Sequence, residues 1–561
     1  MLASLPPARW VTLLVLMALG VAACAPGQPD DREGALQEGV TEPEGERVEG
    51  GNVIFGHEQE PAILNPALTE GNLFATQIVT RPILLGAYLV TPEFEYVPEL
   101  IDGEAETEGG EDGEPFVVTW NILEEATWSD GTPITADDFE FTYQTVMDEE
   151  FDITSRNGYD LITETEVVDD KTWRATFEEP FAPYRTLFGV IPVLPAHVLE
   201  GEDFNEVWND GIVDPETDEP IASGPFQFGQ WRRGQQLTIE RNEGFWGEQA
   251  NLDRITFRYI EETPTLVQQI RGGEINIFDP QPQVDLIEQL EGIDGVEVQS
   301  DAGPQWEHID FNHDNPALAN QYVREAIIRG IDREAIVEQL VQGVNPEAGV
   351  LQNAIFVENQ EQYEPHWDVY DYDPEAAIEL LEENGCTRDG DDGVFTCDGE
   401  ELSFRYVSTS GNERRELMFE IVQAQLAEIG VEVTADFSEP AQALGTQLPE
   451  GDFDLINFGW VGSPDPFGGD TIFMCDGDLN YIGYCNEEVT ELLERNTGIL
   501  DEEERWAVYN EADELIAADI PLIPLFQIPQ VLAYEDNLGG VRVNATQWGP
   551  TWNASEWYLT E

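Results

Sequence analysis

The chain has 561 residues, which is too long for one hydrophobic core and predicts roughly three or four domain-sized units. It carries 24 basic and 115 acidic residues, and the net charge of −91 excludes binding to nucleic acid through clustered Lys and Arg. The acids are spread along the whole sequence, which favours a surface adapted to salty surroundings over an acidic cleft for cationic ligands.

The N-terminus has the pattern of an export signal. An apolar run from Trp10 to Val21 is too short for a permanent membrane-spanning helix and has the length of a signal-peptide core. It leads into V-A-A-C ending at Cys24, which resembles the lipobox of bacterial lipoproteins; plain secretory cleavage before the cysteine is the alternative. We predict a lipoprotein signal peptide over residues 1–23 and an exported protein, anchored by lipid to the outer face of the cell membrane or periplasmic.

Residues 24–51 are rich in Gly, Pro and acids and have almost no large apolar side chains. Such a segment buries too little apolar surface to fold, so it predicts a disordered tether between the lipid and the folded body. No later segment has the run of apolar residues that a membrane-spanning helix needs.

From Asn52 onward the first half reads mainly as strands. Runs rich in β-branched and aromatic residues predict strands at NVIFG, FVVTWNI, TWRATF and QLTIERN. One helix is predicted between Thr132 and Met147, with Thr135 as its N-cap and Asp138 three residues later.

The second half reads as helices that alternate with strands, which is typical of an α/β lobe. The last helix is predicted to lead into an apolar strand around Pro521 to Phe526. The predicted helix starts and stops are, in chain order, Asp332 with Gly343, Asp373 and Pro374 with Gly385, and Gly430 after a long amphipathic helix.

Four cysteines form two close pairs in the sequence, Cys386 with Cys397 and Cys475 with Cys485. In an oxidising compartment such pairs predict two local disulfides. A zinc site is the alternative, but the spacings lack a C-x₂-C hook and no histidine lies nearby. We therefore predict disulfides and no metal.

The sequence contains no recognisable catalytic motif. Its five histidines are scattered, and it has no H-E-x-x-H motif, no phosphate-binding G-x-x-x-x-G-K-S loop and no G-x-S-x-G elbow. A pair of carboxylates of the kind that glycosidases use would occur by chance in so acidic a chain, so paired acids do not indicate a catalytic site. These observations predict a binding protein without a cofactor rather than an enzyme.

Four segments carry a family resemblance: WNILEEATWSDGTPITADDFEFTY from Trp120, ASGPFQFGQWRRGQQLTIERNEGFWG from Ala222, IDFNHDNPALANQYVREAIIRGIDREAIV from Ile309 and GDFDLINFGWVGSPDP from Gly451. Together, and in this order, they resemble the family 5 extracellular solute-binding proteins of ABC transporters. That group includes oligopeptide, dipeptide and nickel binders. The resemblance extends from Asn52 to the end of the chain.

The resemblance implies an α/β fold of the two-lobed periplasmic-binding-protein type, in its large three-domain variant (type II), with a ligand cleft between the lobes. It places the larger, strand-rich lobe at residues 52–305, the helix-rich lobe at 306–520 and a return to the first lobe at 521–561. The chain is expected to cross between the lobes near 299–312 and 520–530, and the lobes are expected to close on the ligand.

The loop NFGWVGSPDP is the expected ligand contact of the second lobe. Gly459 leaves its backbone bare, and Ser463 and Asp465 are biased to extended conformations because each precedes a proline. An extended loop of this kind suits a peptide added as a β-strand. The alternative is a turn packed inside its lobe, with Trp460 in the core.

In peptide-binding members, the resemblance implies, an aspartate soon after G-W meets the amino terminus of the ligand. Ser463 occupies that position here, so Asp465 is the nearest replacement, with Glu70 in reserve, and Asn457 stands where some members carry arginine. The residues predicted to bind the ligand are Glu70, Gly71 and Asn72 from the first lobe, and Trp306, Asn457, Gly459, Trp460, Val461, Ser463 and Asp465.

A peptide is the expected ligand. A nickel chelate, a sugar or another small solute are the alternatives, and a secreted hydrolase is a further one. The expected partners are the permease and ATPase of an ABC transporter and, through the lipid, the membrane. The protein is expected to be a monomer.

Overall fold

The computed structural model of the chain describes residues 40–110, 113–390, 393–544 and 546–561. The α-helices are α1 (Phe74–Thr80), α2 (Ala136–Met147), α3 (Ala196–Leu199), α4 (Thr263–Arg271), α5 (Val284–Glu291), α6 (Gln321–Gly330), α7 (Arg333–Leu340), α8 (Pro374–Glu383), α9 (Glu413–Glu428), α10 (Pro440–Gln442), α11 (Leu448–Glu450), α12 (Glu487–Asn496) and α13 (Glu502–Asp519).

The first-lobe strands are β1 (Arg47–Val48), β2 (Asn52–His57), β3 (Tyr88–Val90), β4 (Tyr96–Pro98), β5 (Glu106–Gly109), β6 (Phe116–Asn121), β7 (Ile162–Asp169), β8 (Thr172–Phe177), β9 (Phe226–Arg232), β10 (Gln236–Arg241), β11 (Arg254–Tyr259) and β12 (Ile277–Phe278). The remaining strands are β13 (Val296–Phe311), β14 (Thr396–Cys397), β15 (Glu400–Glu401), β16 (Ser403–Thr409), β17 (Glu432–Ser438), β18 (Leu455–Val461), β19 (Leu522–Glu535), β20 (Leu538–Gly539) and β21 (Tyr558–Thr560).

A ten-stranded sheet runs through both lobes in the order β17-β16-β18-β13-β19-β12-β2-β11-β10-β9. The long antiparallel strands β13 and β19 pair near its centre and include the two regions, 299–312 and 520–530, in which the chain is expected to cross between the lobes. The register of their ladder shifts between Ala302 and Trp306. Gly303 is required there, because a side-chain carbon on it would lie 2.0 Å from the carbonyl oxygen of Ile528.

The protein has two separate hydrophobic cores, and the boundary between them lies at β13 and β19. One core is built from buried residues between positions 306 and 528, and the other from residues between 53 and 277 and between 532 and 557. A smaller cluster lies under α4 and α5 against the central strands. The structure is therefore an α/β fold with two lobes, as predicted.

The start of the folded body differs from the sequence-based expectation. Residues 40–51 were assigned to a disordered tether, but β1 pairs antiparallel with β21 and the Arg47 guanidinium lies 3.9 Å from the centre of the Tyr558 ring. The partner strand is more than five hundred residues away, so no local pattern could reveal this pairing. The signal peptide, Cys24 and residues 25–39 lie outside the described residues.

The predicted helix caps are confirmed where the structure describes them. The backbone N–H of Thr135 donates to the Asp138 carboxylate at 2.8 Å, closing the capping box of α2. Asp332 and Asp373 each accept a backbone N–H from the first turn of their helix at 2.9 Å. Helix α7 ends at Leu340, three residues before the predicted stop at Gly343.

The two predicted disulfides are confirmed. Cys386 and Cys397 are bonded at 2.03 Å and Cys475 and Cys485 at 2.05 Å. Among the helices of the described ranges, none combines the length and the apolar character needed to cross a membrane.

Candidate functional site

The two lobes touch each other along one side of the crossing strands. Phe94 of the first lobe packs into the core of the second, and the Phe181 and Phe467 rings meet edge to face at 5.2 Å. The N–H of Ala182 donates to the carbonyl of Thr497 at 2.9 Å across the same boundary. The lobes are therefore closed over the space between them.

The larger cavity between the lobes has a volume of about 690 Å³. This volume is within the range of pockets that enclose small organic ligands. Its walls come from segments near 93–96, 104–107 and 182–185 of the first lobe and near 358–362, 464–465 and 500–506 of the second.

A smaller cavity of about 290 Å³ lies beside the larger one. Tyr96, Pro464 and Asp465 line both cavities, so the proline-containing loop separates two compartments of one cleft. Asn72 and Ser463 also line the smaller cavity. The structure thus brings three of the predicted site residues, Asn72, Ser463 and Asp465, to the cleft.

The larger cavity is markedly acidic. Seven of its twenty lining residues carry a carboxylate, a larger share than the 115 acids among the 561 residues of the chain. Both arginines in its wall already have carboxylate partners. Arg185 pairs with Glu104 at 2.9 Å and also contacts Glu502, and Arg505 pairs with Asp465.

The Asp465 carboxylate is engaged inside its own lobe. It accepts two hydrogen bonds from the Arg505 guanidinium, at 2.5 and 2.7 Å, and the two side chains are only 6% and 3% exposed. Burial lowers the pKa of Arg505, but the charge and hydrogen bonds of Asp465, together with Tyr509, outweigh burial and raise that pKa. Because Arg505 neutralises it, Asp465 is a weak choice for binding a ligand cation.

A second buried carboxyl group lies next to this pair. Asp470 accepts a hydrogen bond from the hydroxyl of Tyr509 at 3.2 Å and is almost fully buried. Burial is the main cause that raises the pKa of Asp470 to about 7; the Asp465 charge adds to this effect and the Tyr509 hydrogen bond opposes it. Asp470 is thus largely protonated below neutral pH.

Several predicted site residues on β13 and β18 lie inside the second lobe. Asn457 is fully buried, and its amide donates to Glu307 at 2.9 Å and to the His308 carbonyl at 2.8 Å. Trp306 is buried and is the register partner of Trp460. These hydrogen bonds hold the Asn457 side chain inside the second lobe.

Trp460 is half-buried rather than exposed to the cleft. Its ring is stacked near His308 and Tyr481, with ring centres at 6.1 and 6.5 Å. This packing corresponds to the alternative in which the tryptophan supports the loop from within. Val461, the next residue, is 53% exposed.

Strand β18 leaves part of one edge unpaired. It pairs with β13 from Leu455 to Val461, whereas on its other side only Leu455 and Ile456 pair with β16. Within the described ranges, the outer edge from Phe458 to Val461 thus has no strand partner, and the chain continues from it into the loop that lines both cavities.

On the first lobe, Glu70 and Gly71 lie in a short 3-10 turn that ends next to Asn72. A side-chain carbon on Gly71 would lie 1.8 Å from the carbonyl oxygen of Asn65, so the turn requires glycine. Glu70 is exposed and lines neither cavity.

Sequence reasoning missed Glu358 and Arg505, which line the larger cavity from loops and helices far apart in the sequence. The scarcity of cations was a usable signal for Arg505, because the chain has only 24 basic residues against 115 acids. No comparable feature of the sequence distinguished Glu358 from the other acids, of which the chain has 115 in all. In the described part of the chain, no group of three or more His, Cys, Asp or Glu side chains is arranged to hold a metal ion.

Comparison with known proteins gives a consistent result. The model of the bacterial extracellular solute-binding proteins, family 5 Middle, matches residues 95–477. The oligopeptide-binding protein AppA of Bacillus subtilis is 26% identical over 98% of this chain and 98% of its own length. The oligopeptide-binding protein OppA of Mycobacterium bovis is 30% identical over 76% of this chain and 71% of its own length.

The fold also matches solved structures. A periplasmic EDTA-binding protein, EppA, superposes with a TM-score of 0.82 and 26% identity, covering 92% of this chain and 98% of its own. The name of EppA describes a chelate ligand, whereas the names of the two relatives above describe oligopeptides.

Proposed function

Because the chain belongs to the family 5 bacterial extracellular solute-binding proteins, as its four sequence segments predicted, we propose that it captures peptides between its lobes and delivers them to the permease and ATPase of an ABC importer. The observation that carries the peptide assignment is the unpaired outer edge of β18, from Phe458 to Val461, which leads into the loop shared by both cavities.

An unpaired strand edge offers backbone N–H and C=O groups that an extended peptide can bind without regard to its side chains. The two cavities beside the edge, of about 690 and 290 Å³, provide room for side chains. The names of AppA and OppA, which both describe oligopeptide binding, support this assignment.

A chelate ligand is the second candidate, and the similarity to the EDTA-binding protein EppA favours it. The charge of the larger cavity argues against it. A polycarboxylate chelate brings negative charge to a wall in which seven residues already carry carboxylates and both arginines are paired. A hydrolase is not supported, because the relatives are binding proteins of transporters.

Binding of short synthetic peptides to the purified protein tests this function. We expect a rise in melting temperature with peptides and their recovery intact, because a ligand that binds only the folded state stabilises it. An iron–EDTA complex and a disaccharide serve as comparison ligands. Stabilisation by the chelate or sugar alone would refute the peptide assignment, and cleavage of the peptide would indicate an enzyme.

We further propose that Cys24 is lipidated and holds the exported protein at the membrane. The V-A-A-C sequence supports this proposal. The wild-type protein is then expected in the membrane fraction and Cys24→Ala in the medium, measured by fractionation of the expressing cells. Equal release of both forms would contradict lipid anchoring.

A further inference from the structure

A hairpin of the first lobe carries an aromatic residue in a strained conformation at its tip. Residues 91–95 join β3 to β4, and within this turn the Phe94 N–H donates to the Thr91 carbonyl and the Thr91 N–H to the Glu95 carbonyl, both at 3.0 Å. Phe94 has a φ of 64°, in the left-handed region that glycine or asparagine usually occupies in such a turn. A bulky residue is kept there only where its surroundings compensate for the strain.

The compensating surroundings of Phe94 belong to the other lobe. Its side chain is 6% exposed and lies in a hydrophobic core whose other buried members, within the described ranges, all come from between Trp306 and Ile528. The neighbouring Glu93 and Glu95 are exposed. If the cleft opened, the Phe94 ring would leave an apolar core for water, which is unfavourable.

The first lobe holds the rest of the hairpin in place. Leu89 and Val90 pack with Trp548 in a small apolar cluster, and the Asn544 amide donates to the Val90 carbonyl at 2.9 Å. The hairpin is therefore part of the first lobe, and Phe94 must move with that lobe when the two lobes separate.

The second lobe has a reciprocal contact. Phe467 packs against the core of the first lobe, where its ring meets that of Phe181. Its N–H donates to the Asp465 carboxylate at 3.0 Å, and Arg505 holds that carboxylate within the second lobe. Each lobe thus packs one aromatic ring against the core of the other, with Phe94 in the wall of the larger cavity and Phe467 in the wall of the smaller one.

An ion pair also joins the lobes, but it is exposed to water. Arg185 of the first lobe contacts Glu502 of the second, and these side chains are 28% and 55% exposed. An exposed pair contributes little, because water and salt screen the two charges. Burial of the two rings is therefore the larger stabilisation of the closed arrangement.

From these contacts we propose that Phe94 and Phe467, here called the closure pair, are positioning residues that hold the lobes closed before a ligand binds. A larger closed fraction in the ligand-free protein raises the apparent affinity for every ligand of the cleft, because less of the binding free energy is needed for closure. The proposal does not depend on the peptide assignment, since the closure pair acts between the lobes and not on one group of the ligand.

Small-angle X-ray scattering of the ligand-free full chain tests this proposal. Phe94→Gly removes the ring, and glycine adopts the same φ without strain, so the hairpin keeps its turn. We expect the radius of gyration of Phe94→Gly to exceed that of wild type, because the lobes separate. Phe94→Leu keeps an apolar side chain in the second lobe and is expected to match wild type.

Phe74→Ala is the matched control. It removes an aromatic ring from the first lobe at a position that is 38% exposed and lines neither cavity, so the radius of gyration should not change. Phe467→Ala repeats the test from the second lobe without altering the hairpin, and an increase is expected again. Equal radii of gyration for ligand-free wild type, Phe94→Gly and Phe467→Ala would overturn the proposal.

The kinetics of peptide binding, measured by surface plasmon resonance on the full chain, provide a second readout. Phe94→Gly is expected to raise the dissociation rates of short synthetic peptides by a similar factor of about ten, whatever their sequence, because closure is altered for all of them. A loss confined to peptides with apolar side chains would identify Phe94 as a ligand contact instead. If wild type binds no peptide, the peptide function fails, while the scattering comparison still decides whether the closure pair holds the lobes together.

Discussion

At the scale of single residues, the pair formed by Asp465 and Arg505 places two opposite charges where water is nearly excluded. Each side chain is nearly completely buried, and two hydrogen bonds join them. Such a pair contributes little net stability compared with apolar residues, but losing one member leaves an uncompensated buried charge. The pair therefore fixes the loop after β18 to α13.

Asp465→Asn is expected to destabilise the protein by about 3–5 kcal/mol, because Arg505 is left without its counter-charge. The melting temperature of the ligand-free variant measures this effect. The double variant Asp465→Asn/Arg505→Gln should regain part of the loss, since it leaves no unpaired charge. An unchanged melting temperature with weakened peptide binding would instead support Asp465 as the ligand anchor.

Asp470 gives a prediction about pH. Its pKa is about 7 in the folded protein and near 3.8 when the chain is unfolded, so between these values the folded state holds a proton that the unfolded state has lost. The contribution of this group to stability is thus complete below about pH 4 and is lost as the pH rises to about 7.

The variant Asp470→Asn keeps the shape and removes this titration. The melting temperature of wild type, relative to the variant, is expected to fall from pH 4 to pH 7 and then to level off. Parallel curves for the two proteins over this range would show that Asp470 is not held protonated in the folded state.

At the scale of secondary-structure elements, local sequence signals were sufficient to predict where these helices begin. The N-caps Thr135, Asp332 and Asp373 bond to backbone or side chains only three residues away, so a short sequence window contains the whole interaction. The β1–β21 pairing and the full length of β19 depend on distant strands, and the sequence did not predict them.

The same distinction applies to the cleft. Ser463 and Asp465 were located through a recognisable loop, but the engagement of Asp465 by Arg505 joins residues forty positions apart. The loop that carries Glu358 reaches the cleft through a hydrogen bond from the Glu358 N–H to Gln527 and another from the Gln360 amide to Ser463, and both partners are more than one hundred residues away. No pattern in a single sequence reports such contacts.

The disulfide between Cys475 and Cys485 is the next element to test. It closes a short loop after the cleft segment, and its loss should lower stability by about 2–3 kcal/mol, since the unfolded chain gains conformational freedom. A lower melting temperature of the double variant Cys475→Ser/Cys485→Ser measures this. Free thiols in the native protein, detected by mass mapping without reduction, would contradict the pairing.

At the scale of the whole molecule, the net charge of −91 creates strong self-repulsion. Dissolved salt screens it, because the screening length shortens from about 10 Å at 0.1 M to about 3 Å at 1 M. The melting temperature is therefore expected to rise as sodium chloride is added over this range. A flat or falling profile would contradict the interpretation of the acids as an adaptation to salt.

The contacts of Phe94 and Ala182 with the second lobe describe a molecule closed over its cleft. Closure around a ligand encloses the ligand between the lobes, which is the expected motion of a two-lobed binding protein. A tightly enclosed ligand should survive purification with the protein.

Native mass spectrometry of the protein as purified from cells, followed by identification of whatever is released on unfolding, tests the central claim most directly. We predict a mass excess that resolves into short peptides with free amino ends, bound one per chain. Release of a metal chelate, a sugar or another non-peptide solute in stoichiometric amount would contradict the assignment of this cleft to peptides.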